Sequence, residues 1–171
     1  MTEKDFVFNE KVKQKGIFNF KDLYEYFYDH LMDQDYDIFE KNYNEKILAG
    51  DAKQIELNWV LKKSPGSNYF LFHVDVNWLL LGVKKVKVKK EGHEVSMDSG
   101  SIELIFKAYL VKDPNDKWSK NNIFKFFRRV YDKFLIKERI EDFEEKLYLE
   151  VEEMVANVKS FLAIEGQHTS F

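Results

Sequence analysis

The stretch from Phe70 to Val88, FLFHVDVNWLLLGVKKVKV, decides the fold. Phe70, Phe72, Val74, Val76, Trp78 and Leu80, then Val86 and Val88, keep one parity. Side chains of a strand alternate faces with period two, so this spacing predicts one very long, bent strand with a dry face. The other parity carries His73, Asp75 and Asn77 near one end and Lys85, Lys87 and Lys89 near the other.

Glu91-Gly92 follows as a tight hairpin, which pairs Val88 with Val95 and Val86 with Met97, even positions against odd. Farther along, Ile102, Leu104, Phe106, Ala108 and Leu110 are all even, so the parity has flipped. One extra residue produces such a flip, and a β-bulge supplies it. The sequence offers two places, within Asp98-Ser99-Gly100-Ser101 or opposite it at Gly82.

Upstream, Ile55, Leu57, Trp59 and Leu61 alternate against Gln54, Glu56, Asn58 and Lys62, and the turn Ser64-Pro65-Gly66-Ser67-Asn68 ends that strand. Residues 36 to 47 read as a weaker strand. Before it, Asn19 is placed to cap a helix over 20–32, with Asp22 at the third helical position, Phe18 and Leu23 as a staple, and Phe20, Leu23, Tyr24, Phe27 and Leu31 at helical spacing. Residues 1–18 are weakly patterned, an arm or an edge strand.

After Asp113-Pro114-Asn115-Asp116, no Gly or Pro occurs until Gly166. Ile123, Phe127, Val130 and Phe134 form one apolar stripe; Ile140, Phe143, Leu147, Val151, Met154, Val158 and Phe161 form another, out of phase with the first. The expectation is an α+β fold: an N-terminal helix, then a curved antiparallel sheet of four strands (36–47, 53–63, 69–90, 93–112) with a bulged long hairpin. Two C-terminal helices (119–137, 139–164) pack on the sheet. The 171 residues fit a single domain with a flexible tail at 166–171.

Composition bounds the chemistry. The chain has no cysteine, which removes disulfides, thiolate ligands and a cysteine nucleophile. The formal net charge of -3 argues for no bulk attraction to nucleic acid or to an acidic surface. A polar, acidic start (Met1-Thr2-Glu3-Lys4-Asp5) and the lack of any long apolar run point to a cytoplasmic protein.

Four leads carry possible chemistry. Asp33-Gln34-Asp35-Tyr36-Asp37 spaces carboxylates like the opening of a calcium-binding EF-hand loop, but Ile38 stands where that loop needs Gly and Asn44 where it needs Glu, so a plain polar loop is the better reading. His73, Asp75 and Asn77 share a strand face with Lys107 and Tyr109. At about 6.5 Å between side chains two apart, they read as neighbours on a solvated face with a cross-strand Asp75 to Lys107 pair, not as an assured acid–base couple.

Trp59, Phe72, Trp78 and Phe106 are candidates to line a pocket between curved sheet and long helix, and equally plain core. The fourth lead is a basic surface of Lys84, Lys85, Lys87, Lys89 and Lys90 at the hairpin tip and Lys125, Arg128, Arg129 and Lys133 farther on. Lysines at a sheet edge commonly protect it from pairing, and that is the simpler account. Seven bases face one acid from Lys117 to Lys137, against nine acids and three bases from Glu138 to Glu165, a contrast that self-pairing would satisfy.

His30, His93 and His168 are scattered; no metal or cofactor is expected. The expected function is a non-enzymatic interaction module that binds itself or another protein through the long hairpin and C-terminal helices. A small apolar ligand in a sheet–helix pocket is one alternative, and an anionic membrane or nucleic acid bound through the basic patches is another, nucleic acid being the less favoured of these.

Overall fold

The computed structural model describes residues 2–115, 122–131, 133 and 137–167. In chain order the elements are β1 (Glu3–Phe18), α1 (Phe20–Asp33), β2 (Asp37–Ile47), β3 (Lys53–Lys63), β4 (Phe70–Lys90), β5 (His93–Lys112), α2 (Asn122–Val130) and α3 (Lys137–Gln167). The sheet has five strands in the order β1-β5-β4-β3-β2, and every neighbouring pair is antiparallel. The expected sheet of four strands led by a helix is therefore corrected. The weakly patterned residues 3–18 form an edge strand that pairs with β5 along nearly its whole length, and the helix comes second.

β1 escapes a reading by alternation because its inward positions are not all apolar. Phe8, Val12 and Phe18 are buried, but Glu10 and Gln14 share their parity beyond the register shift. Both are engaged by α3: Glu10 pairs with Lys159, and Gln14 Nε2 donates to the carbonyl of Leu162 at 2.8 Å.

The even positions of β4 and β5 meet across the ladder, Val76 opposite Phe106 and Trp78 opposite Leu104, and form the dry face with Leu57, Trp59 and Leu61 of β3. Two helices cover it. α1 begins where expected: the Asn19 side chain accepts from the Asp22 amide at 3.2 Å, and Leu23, Phe27 and Leu31 are buried. Phe27 lands on Trp59, Trp78 and Phe106, with ring centroids 5.8, 6.0 and 5.9 Å away.

α3 packs on β1 and β5 through Leu147, Val151, Met154, Val155, Val158 and Leu162. It is fastened at its middle by Glu150, which accepts from Tyr36 Oη at 2.7 Å and from Lys63 Nζ at 3.1 Å.

The β4–β5 ladder shifts register between Leu81 and Lys84, so that Gly82 and Val83 stand against Gly100. Gly82 has φ +61°, a conformation that strains other residues, and a Cβ at Gly100 would sit 2.9 Å from the carbonyl oxygen of Leu81, so that position has no room for a side chain. The other three ladders also shift, at Phe6/Phe8, Glu40/Asn42 and Lys53/Ile55; irregularity is not confined to the long hairpin as expected. The extra residue in β4 changes which side chains face inward. Val83 is buried with the core, while Val86 and Val88 no longer continue the face of Phe70 to Leu80.

The C-terminal region differs most from expectation. α2 spans Asn122–Val130 within the expected helix, and its stripe does not pack on the sheet: Ile123 and Phe127 are exposed, and Arg128 is the one buried side chain of these nine residues. Residues 119–121, 132 and 134–136 of the expected helix lie outside the described residues, as do 168–171 of the expected tail. Gly166 and Gln167 are helical, so α3 extends beyond the expected end at 164.

Candidate functional site

The four residues proposed as a pocket lining do come together, as packed core. Trp59, Phe72, Trp78 and Phe106 are each at most 2 % exposed, and Phe27 fills the space above three of them. Three clefts among the described residues are lined by other side chains.

On the opposite, outer face, register sets Asp75 against Lys107 and His73 against Tyr109, with Asn77 against Ile105. His73 Nε2 reaches Asp75 Oδ1 at 3.0 Å, closer than strand spacing alone requires, so the acid pairs within its own strand. Burial lowers the His73 pKa below its ordinary value while Asp75 pulls the other way. Phe6 and Lys4 add contacts to the Tyr109 ring. The five residues form a half-buried polar patch on an open sheet face, not a concavity.

The hairpin lysines are largely tied to acids: Lys85 to Asp98 at 2.8 Å, Lys90 to Glu165 at 3.5 Å, Lys87 to Glu94 at 3.9 Å, and Lys89 stands opposite Glu94 in the ladder. Lys125, Arg129 and Lys133 are exposed, whereas Arg128 turns inward to Glu3 and Asp113. The basic residues therefore do not form one surface. Asp33, Asp35 and Asp37 lie around the turn from α1 into β2, and among the described residues no group of His, Asp and Glu is arranged to hold a metal ion.

A concavity among the described residues lies where the bulged end of the sheet meets the start of α1. It is a cleft of about 510 Å³ lined by Phe20 and Lys21 of α1, Tyr43 and Glu45 of β2, Asp51 of the turn, Lys53 and Ile55 of β3, Val83, Lys84 and Lys85 of β4, and Asp98 of β5. Each wall follows from a local cause. The bulge turns Val83 inward and brings Lys85 opposite Asp98.

Asp98 is 4 % exposed and accepts the Phe20 amide at 3.0 Å, one of the first-turn N–H groups that a helix cannot satisfy internally. Its carboxylate thus binds the start of α1 and Lys85 together. Lys53 Nζ lies 2.7 Å from Glu45, which also accepts from Tyr43 Oη at 3.1 Å. Lys84 closes over the turn, its Nζ 3.3 Å from where a Cβ of Gly50 would stand, and makes no ion pair among the described residues.

A second cleft of about 300 Å³ continues the first through Phe20, Lys21 and Tyr43 and adds Tyr24, Glu25 and Glu40. Glu40 Oε2 accepts from Tyr24 Oη at 3.0 Å and from Trp59 Nε1 at 3.2 Å. Burial, then the hydrogen bond to Glu40, pushes Tyr24 up to about 12. Tyr43 is raised by burial and by its bond to Glu45. Glu45 is held below the usual carboxylate range by the hydrogen bond from Lys53 and then that from Tyr43, and Lys53 is raised by the same contact with Glu45. At neutral pH the walls therefore present neutral phenols, fixed carboxylates and ammonium groups over a floor of Phe20, Ile55 and Val83.

Of these residues only Lys84 and Lys85 stood among the candidates from sequence, and as a surface rather than a cleft. Asp98 carried a signal of its own. It is an acid on the same even parity of β5 as Ile102, Leu104, Phe106, Ala108 and Leu110 farther along the strand. Comparison of the chain with family models, with curated proteins and with solved structures returns no match.

Proposed function

We propose that this chain is a non-enzymatic binder of a small amphipathic anion, held in the cleft between the bulged end of the sheet and the start of α1. The observation that carries the reading is the cleft itself. Its volume of about 510 Å³ lies within the range of small-molecule sites, roughly 300–1,000 Å³, and it joins an apolar floor to a few converging polar groups.

The stems of Lys21, Lys53, Lys84 and Lys85 add carbon to the walls while their ammonium groups ring the mouth. Lys53 and Lys85 are neutralised by Glu45 and Asp98, and Lys21 lies 3.8 Å from Glu25, which leaves Lys84 as the cation for an incoming carboxylate or phosphate, with Tyr43 Oη close to the same walls. The site differs in place from the pocket expected under the long helix, because the aromatic core fills that space. Binding rather than catalysis is favoured by the arrangement: the His73–Asp75 couple lies on the outer face, away from the cleft.

The test is titration with 8-anilinonaphthalene-1-sulfonate, a fluorescent amphipathic anion, alongside native mass spectrometry of gently desalted protein. One saturable site that weakens roughly tenfold in Lys84→Glu, the scale of a lost charge-assisted contact, is the expected result. Unchanged affinity in that variant would remove the cleft as the site. A bare multiple of the chain mass in the spectrum would instead favour self-association through the hairpin and C-terminal helices.

A further inference from the structure

α2 is an amphipathic helix mounted inside out. At 100° per residue Ile123, Phe126, Phe127 and Val130 share an arc of about 100°, with Lys125 and Arg129 beyond one margin of it. An apolar arc on a helix beside a domain normally faces the core. Here Phe126 is 64 % exposed, Phe127 55 % and Ile123 63 %, while Arg128, on the far side of the helix from the arc, is buried.

The anchorage explains the orientation. Arg128 points at Glu3 and at Asp113, which is itself 3 % exposed, with nitrogen–oxygen distances of 3.6 and 3.9 Å. The Tyr131 ring, one residue past α2, meets Tyr69 edge-on at 6.1 Å. These contacts hold the charged side inward and turn the aromatic side out. Phe126 and Phe127 contact each other edge to face at 6.0 Å, which makes the exposed apolar surface continuous.

We infer that α2 is a docking helix for an anionic lipid surface. Its exposed charge complements phospholipid headgroups: Asn122–Val130 contains no acid, and Lys125 and Arg129 stay exposed while Arg128 is held inward. Its size fits shallow insertion better than a protein interface. Large apolar side chains bury at most about 150–250 Å² each, so the exposed portions of Ile123, Phe126 and Phe127 offer on the order of 300–400 Å², short of the roughly 800 Å² per partner of a stable dimer. A short helix lying in the plane of the bilayer requires only that a few aromatic side chains enter the acyl boundary while flanking bases stay at headgroup level. No described helix is long and apolar enough to cross a membrane, so attachment through α2 would be peripheral.

Co-sedimentation of the full chain with phosphatidylcholine vesicles, with and without phosphatidylserine, tests this at low and at physiological salt. Binding should require phosphatidylserine and fall as salt rises. Phe126→Ser with Phe127→Ser should weaken it on the order of a hundredfold, from two lost aromatic insertions, and Lys125→Gln with Arg129→Gln roughly thirtyfold. All four positions are exposed, so circular dichroism and thermal midpoint should match the parent, and the charge pair keeps the test open if the serine pair misfolds.

The inference fails if vesicles do not bind at low salt, or if binding is indifferent to both α2 pairs. It fails also if binding follows Lys87→Gln with Lys89→Gln at the hairpin instead. A concentration-dependent dimer abolished by Phe126→Ser with Phe127→Ser would assign the face to a second copy and overturn the lipid reading.

Discussion

α2 and α3 follow one another in the chain, both are amphipathic, and they use that property in opposite directions. α3 turns Leu147, Val151, Met154, Val155, Val158 and Leu162 into the sheet and leaves Glu138, Glu141, Asp142, Glu145, Glu152 and Glu153 to solvent. α2 turns Arg128 in and its phenylalanines out. The periodicity of a helix states that an apolar stripe exists and says nothing of what covers it; the anchoring side chain decides. For α3 the anchor at Glu150 agrees with the stripe, and for α2 the anchor at Arg128 opposes it.

Core truncation tests the contrast most strongly. Leu147→Ala should cost about 2–5 kcal/mol in chemical denaturation, because a fully buried leucine leaves a cavity. Phe127→Ala should stay within about 0.5 kcal/mol despite removing more atoms, as an exposed substitution does. A loss at Phe127 equal to that at Leu147 would mean that α2 packs inward.

Arg128→Gln comes next. It takes the guanidinium from buried Asp113 and should cost roughly 1–3 kcal/mol, with faster amide exchange in α2 than in α3. Uniform exchange in both helices would show that the anchor lies elsewhere.

The smallest effect separates the two anchors by pH. Burial first and Glu150 second raise the Tyr36 pKa far above its ordinary value of about 10, so the folded state keeps a proton that the unfolded chain releases. That stabilisation is complete below pH 10 and declines as pH rises from there toward the folded value. Unfolding midpoints measured from pH 9 upward should therefore fall more steeply for the parent than for Tyr36→Phe. Arg128 does not titrate in that window, so Arg128→Gln should keep the parental slope. Equal slopes in parent and Tyr36→Phe would show that Tyr36 is not held by Glu150.

The strand alternation at Ile55 to Leu61, Phe70 to Leu80 and Ile102 to Leu110, the Asn19 cap and the α3 stripe were legible because each is a local pattern that one face of one element must satisfy. β1 was not, because Glu10 and Gln14 occupy inward positions and make sense only once Lys159 and the Leu162 carbonyl are beside them. The cleft was hidden for a related reason. Its eleven lining residues come from five elements and a turn, and its charges are intelligible only as the pairs Lys85–Asp98 and Lys53–Glu45.

By itself the sequence determined the α+β class, the long strands and the parity flip that a bulge must absorb, since period and steric bulk act within a few residues. Tertiary structure alone decided that residues 3–18 close the sheet at β5, that the flip turns Val83 inward, that Asp98 fastens α1 to β4, and that α2 faces outward. Those outcomes depend on which distant partner desolvates or neutralises each group, and local pattern carries no record of the partner.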